Sequence, residues 1–245
     1  MSFENIEGKK VPQTSFVKYE GGGLAQESYD DVFKGRRVVI FALPGAYTPT
    51  CSSTHLPRYN ELASAIKSEG VDDIYVLSVN DAFVMSSWLN DQDAENIKSL
   101  ADGNGEFSEG IGLLVDKSDI GFGKRTWRYS MVVNDGVVEK AFIEPDKPGD
   151  PFEVSDADTM LNYLNPEAKA PESVTVFTRP GCPYCARAKE ILNEKKLAFD
   201  EIVLGQDVSN KALFAVTGKS KVPQIYIDGN HIGGRDDLEK HFGLE

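Results

Sequence analysis

The sequence predicts an α/β protein built from two domains. Apolar runs typical of buried strands alternate with helix-like segments through the first two thirds of the 245 residues, and a shorter version of this alternation follows. Between the two lies NPEAKAPES, from Asn165 to Ser173, which has two prolines and no apolar periodicity. We therefore expect one domain over residues 1–165, a linker over 166–172 and a second domain over 173–245.

Five segments define the predicted first domain. RRVVIFALP and IYVLSVN are typical of buried strands, and SSTHLPRYNELASAIKSEG and AFVMSSWLNDQDAENIKSLAD of helices. SMVVNDGVVEKAFIE has two β-rich runs around Asn134, Asp135 and Gly136, which predicts a hairpin. Buried strands that alternate with helices predict a mostly parallel sheet. The triplet GGG at residues 21–23 lacks the Lys-Ser/Thr of a phosphate-binding loop and is expected to form a turn.

The segments after the linker predict a smaller domain of a recognisable type. Strand SVTVFT precedes a helix from Cys182 to Lys196, and strand FDEIVL precedes helix VSNKALFAVTG. The hairpin PQIYIDGNHIGG and the helix RDDLEKHF complete the series. This β-α-β-α-β-β-α order, with a Cys-x-x-Cys pair at the start of its first helix, predicts a thioredoxin-like fold.

Composition excludes several classes of partner. The net charge of −13 argues against nucleic acid and anionic membranes, because both carry negative charge themselves. Residues 1–165 contain 15 basic and 27 acidic residues and the remainder 11 and 12, so the second part accepts a small anion more easily. No apolar run approaches the ~18–20 residues that span a bilayer. MSFENIEGKK is no secretory signal, and three cysteines are too few for a disulfide scaffold, so we expect a cytoplasmic protein with reactive thiols.

The Cys-x-x-Cys pair has the chemistry of a redox site. Cys182 is expected at a helix N-terminus, where free backbone N–H groups and the helix dipole stabilise a thiolate. Cys185 lies three residues later, on the same side, and can attack a mixed disulfide formed at Cys182. The alternative is half of a zinc site, but the only histidines, His55, His231 and His241, are not paired at ligand spacing. We expect no metal and ordinary roles for the histidines.

TRPGCPYC, KVPQIYIDG and GGRDDL together resemble a glutaredoxin over residues 173–245. The resemblance implies that Cys182 is the nucleophile that accepts glutathione from a mixed disulfide. It also implies a cis peptide bond between Val222 and Pro223, with the Val222 backbone facing the cysteinyl unit of glutathione. The remaining residues implied to bind glutathione are Arg179, Tyr184 and Lys221, and, at a helix N-terminus, Gly234, Arg235 and Asp236.

A single cysteine occupies the first domain, in the stretch PGAYTPTC that follows the apolar run VVIFAL. Pro44 and Gly45 are expected to shape a turn and Pro49 to begin a helix, which places Cys51 in the first helical turn. Thr48, three residues earlier, can bring its hydroxyl beside the sulfur. Such a setting favours a thiolate nucleophile. From the chemistry alone, a buried and inert cysteine is the alternative.

Residues 44–51 fit the pattern Pro-x-x-x-Thr-x-x-Cys, and with LSVNDAFV and RYSMVVNDGVV they resemble the type-five peroxiredoxins over roughly residues 8–163. The resemblance implies a thioredoxin fold for the first domain as well. It also implies that Cys51 attacks a peroxide oxygen and becomes a sulfenic acid. Thr48 would hydrogen-bond the peroxide, and Pro44 would shield the site from water. Arg128 would stabilise the thiolate and the developing negative oxygen, since it occupies the matching place beside its basic neighbours Lys124 and Arg125.

No second cysteine in the first domain is available to resolve this sulfenic acid. The resemblance therefore implies a glutathione-dependent peroxidase for hydrogen peroxide and small alkyl hydroperoxides. Glutathione condenses with oxidised Cys51, and Cys182 then removes the glutathionyl group. Glutathione is the reducing co-substrate, no cofactor is tightly bound, and a homo-oligomer, a dimer or a tetramer, is expected.

Two other functions are compatible with the same residues. One is a redox sensor that passes a disulfide from its oxidised first domain to a partner protein. The other is a general disulfide or deglutathionylation reductase, in which the first domain serves only for targeting. Loss of peroxidase activity on mutation of Cys51, with deglutathionylation retained, would distinguish the peroxidase from the reductase.

Overall fold

The computed structural model describes residues 3–168, 172–195 and 197–244, and the chain forms two compact units, Met1–Ala170 and Pro171–Glu245. Residues 169–171 of the predicted linker and Lys196 at the end of a predicted helix lie outside the described residues. Among the described residues, no helix has the length and apolarity that a bilayer crossing requires.

The first unit contains nine strands and five α-helices within its described residues. The strands are β1 (Phe16–Glu20), β2 (Gly23–Glu27), β3 (Arg37–Ala42), β4 (Asp73–Ser78), β5 (Lys98–Ala101), β6 (Leu114–Asp116), β7 (Lys124–Thr126), β8 (Tyr129–Asn134) and β9 (Val137–Ile143). The helices are α1 (Tyr29–Phe33), α2 (Leu56–Ser68), α3 (Ala82–Asp91), α4 (Glu106–Gly110) and α5 (Ala157–Leu164). A π-helical turn, Cys51–His55, leads directly into α2.

Seven strands form one sheet in the order β2-β1-β5-β4-β3-β8-β9. The prediction of a mostly parallel sheet is wrong, because β3 with β4 and β4 with β5 are parallel while the other described neighbours are antiparallel. Hairpins at both edges add the antiparallel pairs. The β1–β2 hairpin turns at Gly21 and Gly22, and the predicted β8–β9 hairpin at Asp135 and Gly136, all four with positive φ.

The sequence predicts one helix over AFVMSSWLNDQDAENIKSLAD, and this prediction is wrong. Helix α3 ends at Asp91, and Asp93 adopts a positive φ of 49° that an α-helix cannot continue through. Lys98–Ala101 instead pair with β4 as a parallel strand. The gain from sheet pairing and from burying Leu100 and Ala101 outweighs the helical preference of this segment.

The two faces of the sheet pack against separate apolar clusters. On β3, Val39 and Phe41 face a cluster with residues of α2, α3 and α5, while Val38 and Ile40 face a cluster that includes Phe33 and Phe107. This alternation follows from the period of two along a strand. Because β3 is fully buried beyond Arg37, the stretch after it begins at a fixed point in the core.

The second unit has the predicted β-α-β-α-β-β-α order. Its elements are β10 (Val174–Thr178), α6 (Pro183–Glu194), β11 (Phe199–Val203), α7 (Asn210–Thr217), β12 (Gln224–Ile227), β13 (Asn230–Gly233) and α8 (Arg235–His241). The sheet order is β11-β10-β12-β13, with β10 and β11 parallel and the other pairs antiparallel. Both units thus have the thioredoxin-like α/β architecture that the sequence predicts.

Candidate active sites

Cys51 lies at the junction between strand and helix in the first unit. The chain turns after β3, and Cys51 opens the π-helical turn that precedes α2, so the sulfur is near a helix N-terminus. The residue is fully buried. Thr48 anchors the turn, because its Oγ1 donates a 2.8 Å hydrogen bond to the Gly45 carbonyl and its carbonyl accepts from Ser52 N at 3.0 Å.

Arg128 reaches the sulfur because β8 pairs with β3. Tyr129 lies opposite Ala42 in this pairing, which brings the preceding Arg128 beside the Cys51 turn. Its Nη2 donates to Cys51 Sγ at 3.5 Å, and its side chain is 1% exposed. Arg125 instead donates to backbone carbonyls, including that of Val79. Of the basic residues near this position, Arg128 therefore supplies the charge at the sulfur.

His55 holds the opposite side of the Arg128 guanidinium. Arg128 Nη1 lies 3.0 Å from His55 Nδ1, and His55 Nε2 lies 3.1 Å from the carbonyl oxygen of Ser155. A carbonyl only accepts, so Nε2 carries the proton and Nδ1 accepts from Arg128. Burial, reinforced by the charge of Arg128, lowers the pKa of His55 to about 3. The ring is therefore neutral. His55 was not among the site residues predicted from the sequence, although its position one turn after Cys51 is a signal that could have indicated it.

Asp150 is a third partner of Arg128, and it too was missed. Its carboxylate accepts from Arg128 Nε at 3.2 Å and from Nη2 at 2.5 Å. Asp150 belongs to the segment 144–155, between β9 and α5. The buried Glu144 fixes the far end of this segment by accepting from the backbone N–H groups of Glu153, Val154 and Ser155 at 2.8–2.9 Å.

A cleft of about 700 Å³ lies beside the Cys51 turn and is lined by Thr48 and Thr50 of that turn. Pro44 and Thr48 line one side of it, and Asp150 lies at another side. Its apolar lining consists mainly of Val115, Ile120, Phe122 and Trp127. The space is far larger than a hydrogen peroxide molecule, so it also has room for the organic group of a hydroperoxide.

Cys182 caps helix α6 in the second unit. Its Sγ accepts a 3.2 Å hydrogen bond from the backbone N–H of Cys185 and lies 3.9 Å from the carbonyl oxygen of Val222. The peptide bond between Val222 and Pro223 is cis, as the resemblance to glutaredoxins implies. Burial, followed by the hydrogen bond with Cys182, raises the pKa of Cys185 to about 12. Cys182 is the more exposed of the two sulfur-bearing residues, and Cys185 is buried behind it.

A groove of about 500 Å³ runs past Val222. The predicted glutathione-binding residues found in its wall are Tyr184, Lys221, Val222, Pro223, Gly234, Arg235 and Asp236. The Arg235 guanidinium lies over the Tyr184 ring, 5.4 Å from its centre. Phe214 also lines the groove and is 60% exposed, a residue that sequence reasoning did not single out.

Arg179 lies apart from the other predicted glutathione-binding residues. Its Nη2 donates to Asn210 Oδ1 at 2.7 Å, and it lines a second cleft together with Cys182 and Cys185. Gly234, at the N-cap of α8, already donates its N–H to Asp237 at 2.8 Å. Within the described residues, no group of three His, Cys, Asp or Glu side chains is placed to hold a metal ion.

Comparison with known families gives two matches along the chain. The redoxin family model matches residues 6–161, and the glutaredoxin family model matches residues 174–232. The first match contains Cys51 and Arg128, and the second contains Cys182 and the cis proline.

Similar proteins share both parts or the first part alone. The hybrid peroxiredoxin hyPrx5 of Haemophilus influenzae is 58% identical over 97% of this chain and 99% of its own length. A peroxiredoxin of Synechocystis is 59% identical over 68% of this chain and 87% of its own. Among solved structures, reduced Prx3 of Vibrio vulnificus in complex with hydrogen peroxide is 42% identical, with a TM-score of 0.62 over 66% of this chain and 99% of that one.

Proposed function

The chain belongs to the redoxin family and is a hybrid peroxiredoxin–glutaredoxin peroxidase, and on this premise we propose that its turnover depends on glutathione. One observation carries the proposal: Cys51 is the only cysteine of the first unit, so its oxidised form needs a thiol from elsewhere. The second unit contains Cys182 beside a groove lined by the residues implied to bind glutathione.

In the oxidative half-reaction, the Cys51 thiolate attacks the terminal peroxide oxygen. The O–O bond breaks, Cys51 becomes a sulfenic acid, and the departing alkoxide or hydroxide takes a proton from solvent. Arg128 donates hydrogen bonds to the oxygen on which negative charge develops. The Thr48 hydroxyl hydrogen is committed to the Gly45 carbonyl, so Thr48 receives the peroxide as an acceptor. Pro44 shields this end of the cleft from water.

In the reductive half-reaction, the thiol of glutathione condenses with the sulfenic acid and releases water. The Cys182 thiolate then attacks the glutathione sulfur of this mixed disulfide, which frees Cys51 as a thiolate. A second glutathione attacks the glutathionyl sulfur on Cys182, so that glutathione disulfide leaves and Cys182 is restored. Cys185 is not required by this route.

The groove in the second unit supplies contacts for the glutathionyl group. The Val222 backbone pairs with its cysteinyl unit, and Lys221 and Arg235 attract its carboxylates. Gly234 and Asp236 bind the γ-glutamyl end, and Tyr184 packs beside the ligand. Arg179 lies outside this groove and acts through its charge at most, because its guanidinium is bonded to Asn210.

The test is peroxide-dependent NADPH oxidation by the purified full chain with glutathione and glutathione reductase, without added glutaredoxin. We expect rapid turnover in the wild type, none in Cys51→Ser or Cys182→Ser, and substantial turnover in Cys185→Ser. Cys182→Ser should still consume one equivalent of peroxide. Full steady-state turnover by Cys182→Ser would contradict the relay, and absence of wild-type turnover despite oxidation of Cys51 would point to another reductant or to sensing.

A further inference from the structure

The N–H groups of Arg128 are divided among three fixed partners. Asp150 occupies the edge formed by Nε and Nη2, the other side of Nη2 faces Cys51 Sγ, and Nη1 faces His55. A guanidinium is planar and rigid, so holding one edge orients the others. The side-on contact with Asp150 is the bidentate arrangement that fixes such a group most firmly.

Asp150 is itself held in place, although its side chain is 41% exposed. The carbonyl of the preceding Gly149 accepts a 3.3 Å hydrogen bond from Lys117 Nζ. The end of the same segment is fixed by Glu144 through the backbone of residues 153–155. The carboxylate therefore has a defined position from which to orient a buried cation.

We propose that Asp150 is a positioning residue that directs the Arg128 guanidinium at Cys51 and at the peroxide oxygen. Asp150 does not touch the reacting atoms; it acts through Arg128. This inference rests on the peroxidase reaction at Cys51 proposed above, but not on the identity of the reductant. Asp150 was absent from the sequence-based site because nothing near it in the chain marks it as part of a cysteine centre.

The proposal predicts a selective defect in Asp150→Asn. The amide replaces one acceptor by an NH₂ group that faces an Arg128 donor, so the bidentate contact is lost. Misplacement of a catalytic group by about 1 Å can lower a reaction rate by up to ~100-fold. We therefore expect the rate constant for oxidation of Cys51 by peroxide to fall about 10- to 100-fold. Alkylation of Cys51 by iodoacetamide also needs the thiolate, but the Arg128 charge stays beside the sulfur in this variant and no O–O bond breaks, so we expect the alkylation rate to change by less than about twofold.

The experiment uses the full chain in a single turnover without glutathione. Tryptophan fluorescence follows the oxidation of Cys51 by peroxide, and mass spectrometry follows its alkylation by iodoacetamide in a separate reaction. Glu153→Gln is the matched control, because it removes one negative charge from the same segment while its partner is Lys147 rather than Arg128. Asp150→Glu should recover a large part of the peroxide rate. An Asp150→Asn rate equal to that of Glu153→Gln would overturn the proposal.

A second result would also overturn it. If alkylation falls as far as peroxide oxidation in Asp150→Asn, the variant has damaged the whole site, and the role of Asp150 is structural. Failure of the proposed function has a different signature, because the wild type itself would then leave peroxide unreacted.

Discussion

His55 places a neutral ring against the cation that contacts the Cys51 sulfur. A protonated imidazole would face the Arg128 guanidinium at 3.0 Å and would lose its acceptor at Nδ1. Burial and the Arg128 charge keep the ring neutral, and the Ser155 carbonyl fixes its tautomer. The hydrogen bond from Arg128 is therefore present throughout the physiological pH range.

This neutral state predicts a pH-dependent stability. The pKa of His55 falls from 6.5 to about 3 on folding, so between these values the unfolded chain binds a proton that the folded chain does not. The contribution of neutral His55 to the unfolding free energy is therefore fully present above pH 6.5 and is lost as the pH falls toward 3. At pH 5 it costs about 2 kcal/mol of the unfolding free energy relative to neutral pH.

Urea unfolding at the two pH values checks this prediction, with His55→Gln as the variant that cannot titrate. Tryptophan fluorescence reports on the first unit, because both Trp88 and Trp127 lie there. We expect the pH-dependent loss to be about 2 kcal/mol smaller in His55→Gln. Equal losses in the two proteins would show that His55 titrates normally.

At the scale of the elements, the segment 144–155 contributes contacts to the Cys51 site that its sequence does not predict. It brings Asp150 and the Ser155 carbonyl to opposite sides of the Arg128–His55 pair. These contacts join residues 22 and 100 positions apart. Neither strand nor helix periodicity runs through EPDKPGDPFEVS, so a pattern analysis has nothing to align there.

Glu144 is predicted to be the residue that keeps this segment folded. In Glu144→Gln, an NH₂ group replaces an oxygen that accepts backbone N–H bonds, and hydrogen bonds to a buried charged acceptor are worth roughly 1.5–3 kcal/mol. We expect the unfolding free energy at pH 7.5 to fall by about 2–3 kcal/mol, measured by urea titration. A change below about 0.5 kcal/mol, the level expected for the exposed Glu153→Gln, would contradict this role.

Elements with strong local signals were predictable, and elements defined by their neighbours were not. The second unit has short strands, a Cys-x-x-Cys helix start and an Asp-Gly turn, and each of its elements appears as predicted. For Lys98–Ala101 the sequence predicts helix, because this strand is defined by its pairing with β4 and not by a local pattern. In the same way, Cys51, Thr48 and Pro44 were expected from the family resemblance of residues 44–51. His55 and Asp150 become recognisable as site residues only once the pairing of β8 with β3 has placed Arg128.

At the scale of the whole chain, the two units place a peroxide-reducing thiol and its proposed reductase in a fixed one-to-one ratio. The predicted linker of seven residues, 166–172, reaches at most ~25 Å when extended. A tether of this kind replaces bulk concentration by a local concentration that dilution does not change. The proposed relay should therefore behave differently in one chain and in a mixture of two.

Dilution tests this expectation. Turnover per wild-type chain with glutathione should stay constant on about a hundredfold dilution. An equimolar mixture of Cys51→Ser and Cys182→Ser chains has both functions but on different molecules, and its turnover per chain should fall roughly in proportion to concentration. A wild type that loses activity as steeply as the mixture would show that tethering contributes nothing.

The complete burial of Cys51 also sets the order of events during turnover. On the proposed relay, we expect a peroxide of two oxygens to reach this buried sulfur more readily than a tripeptide thiol, so that glutathione reacts only after an interval in which the site opens. During that interval the sulfenic acid remains exposed to small oxidants alone, and a second peroxide would carry it to the sulfinic acid. On the proposed relay, this burial therefore limits the peroxide concentration at which the enzyme survives its own reaction.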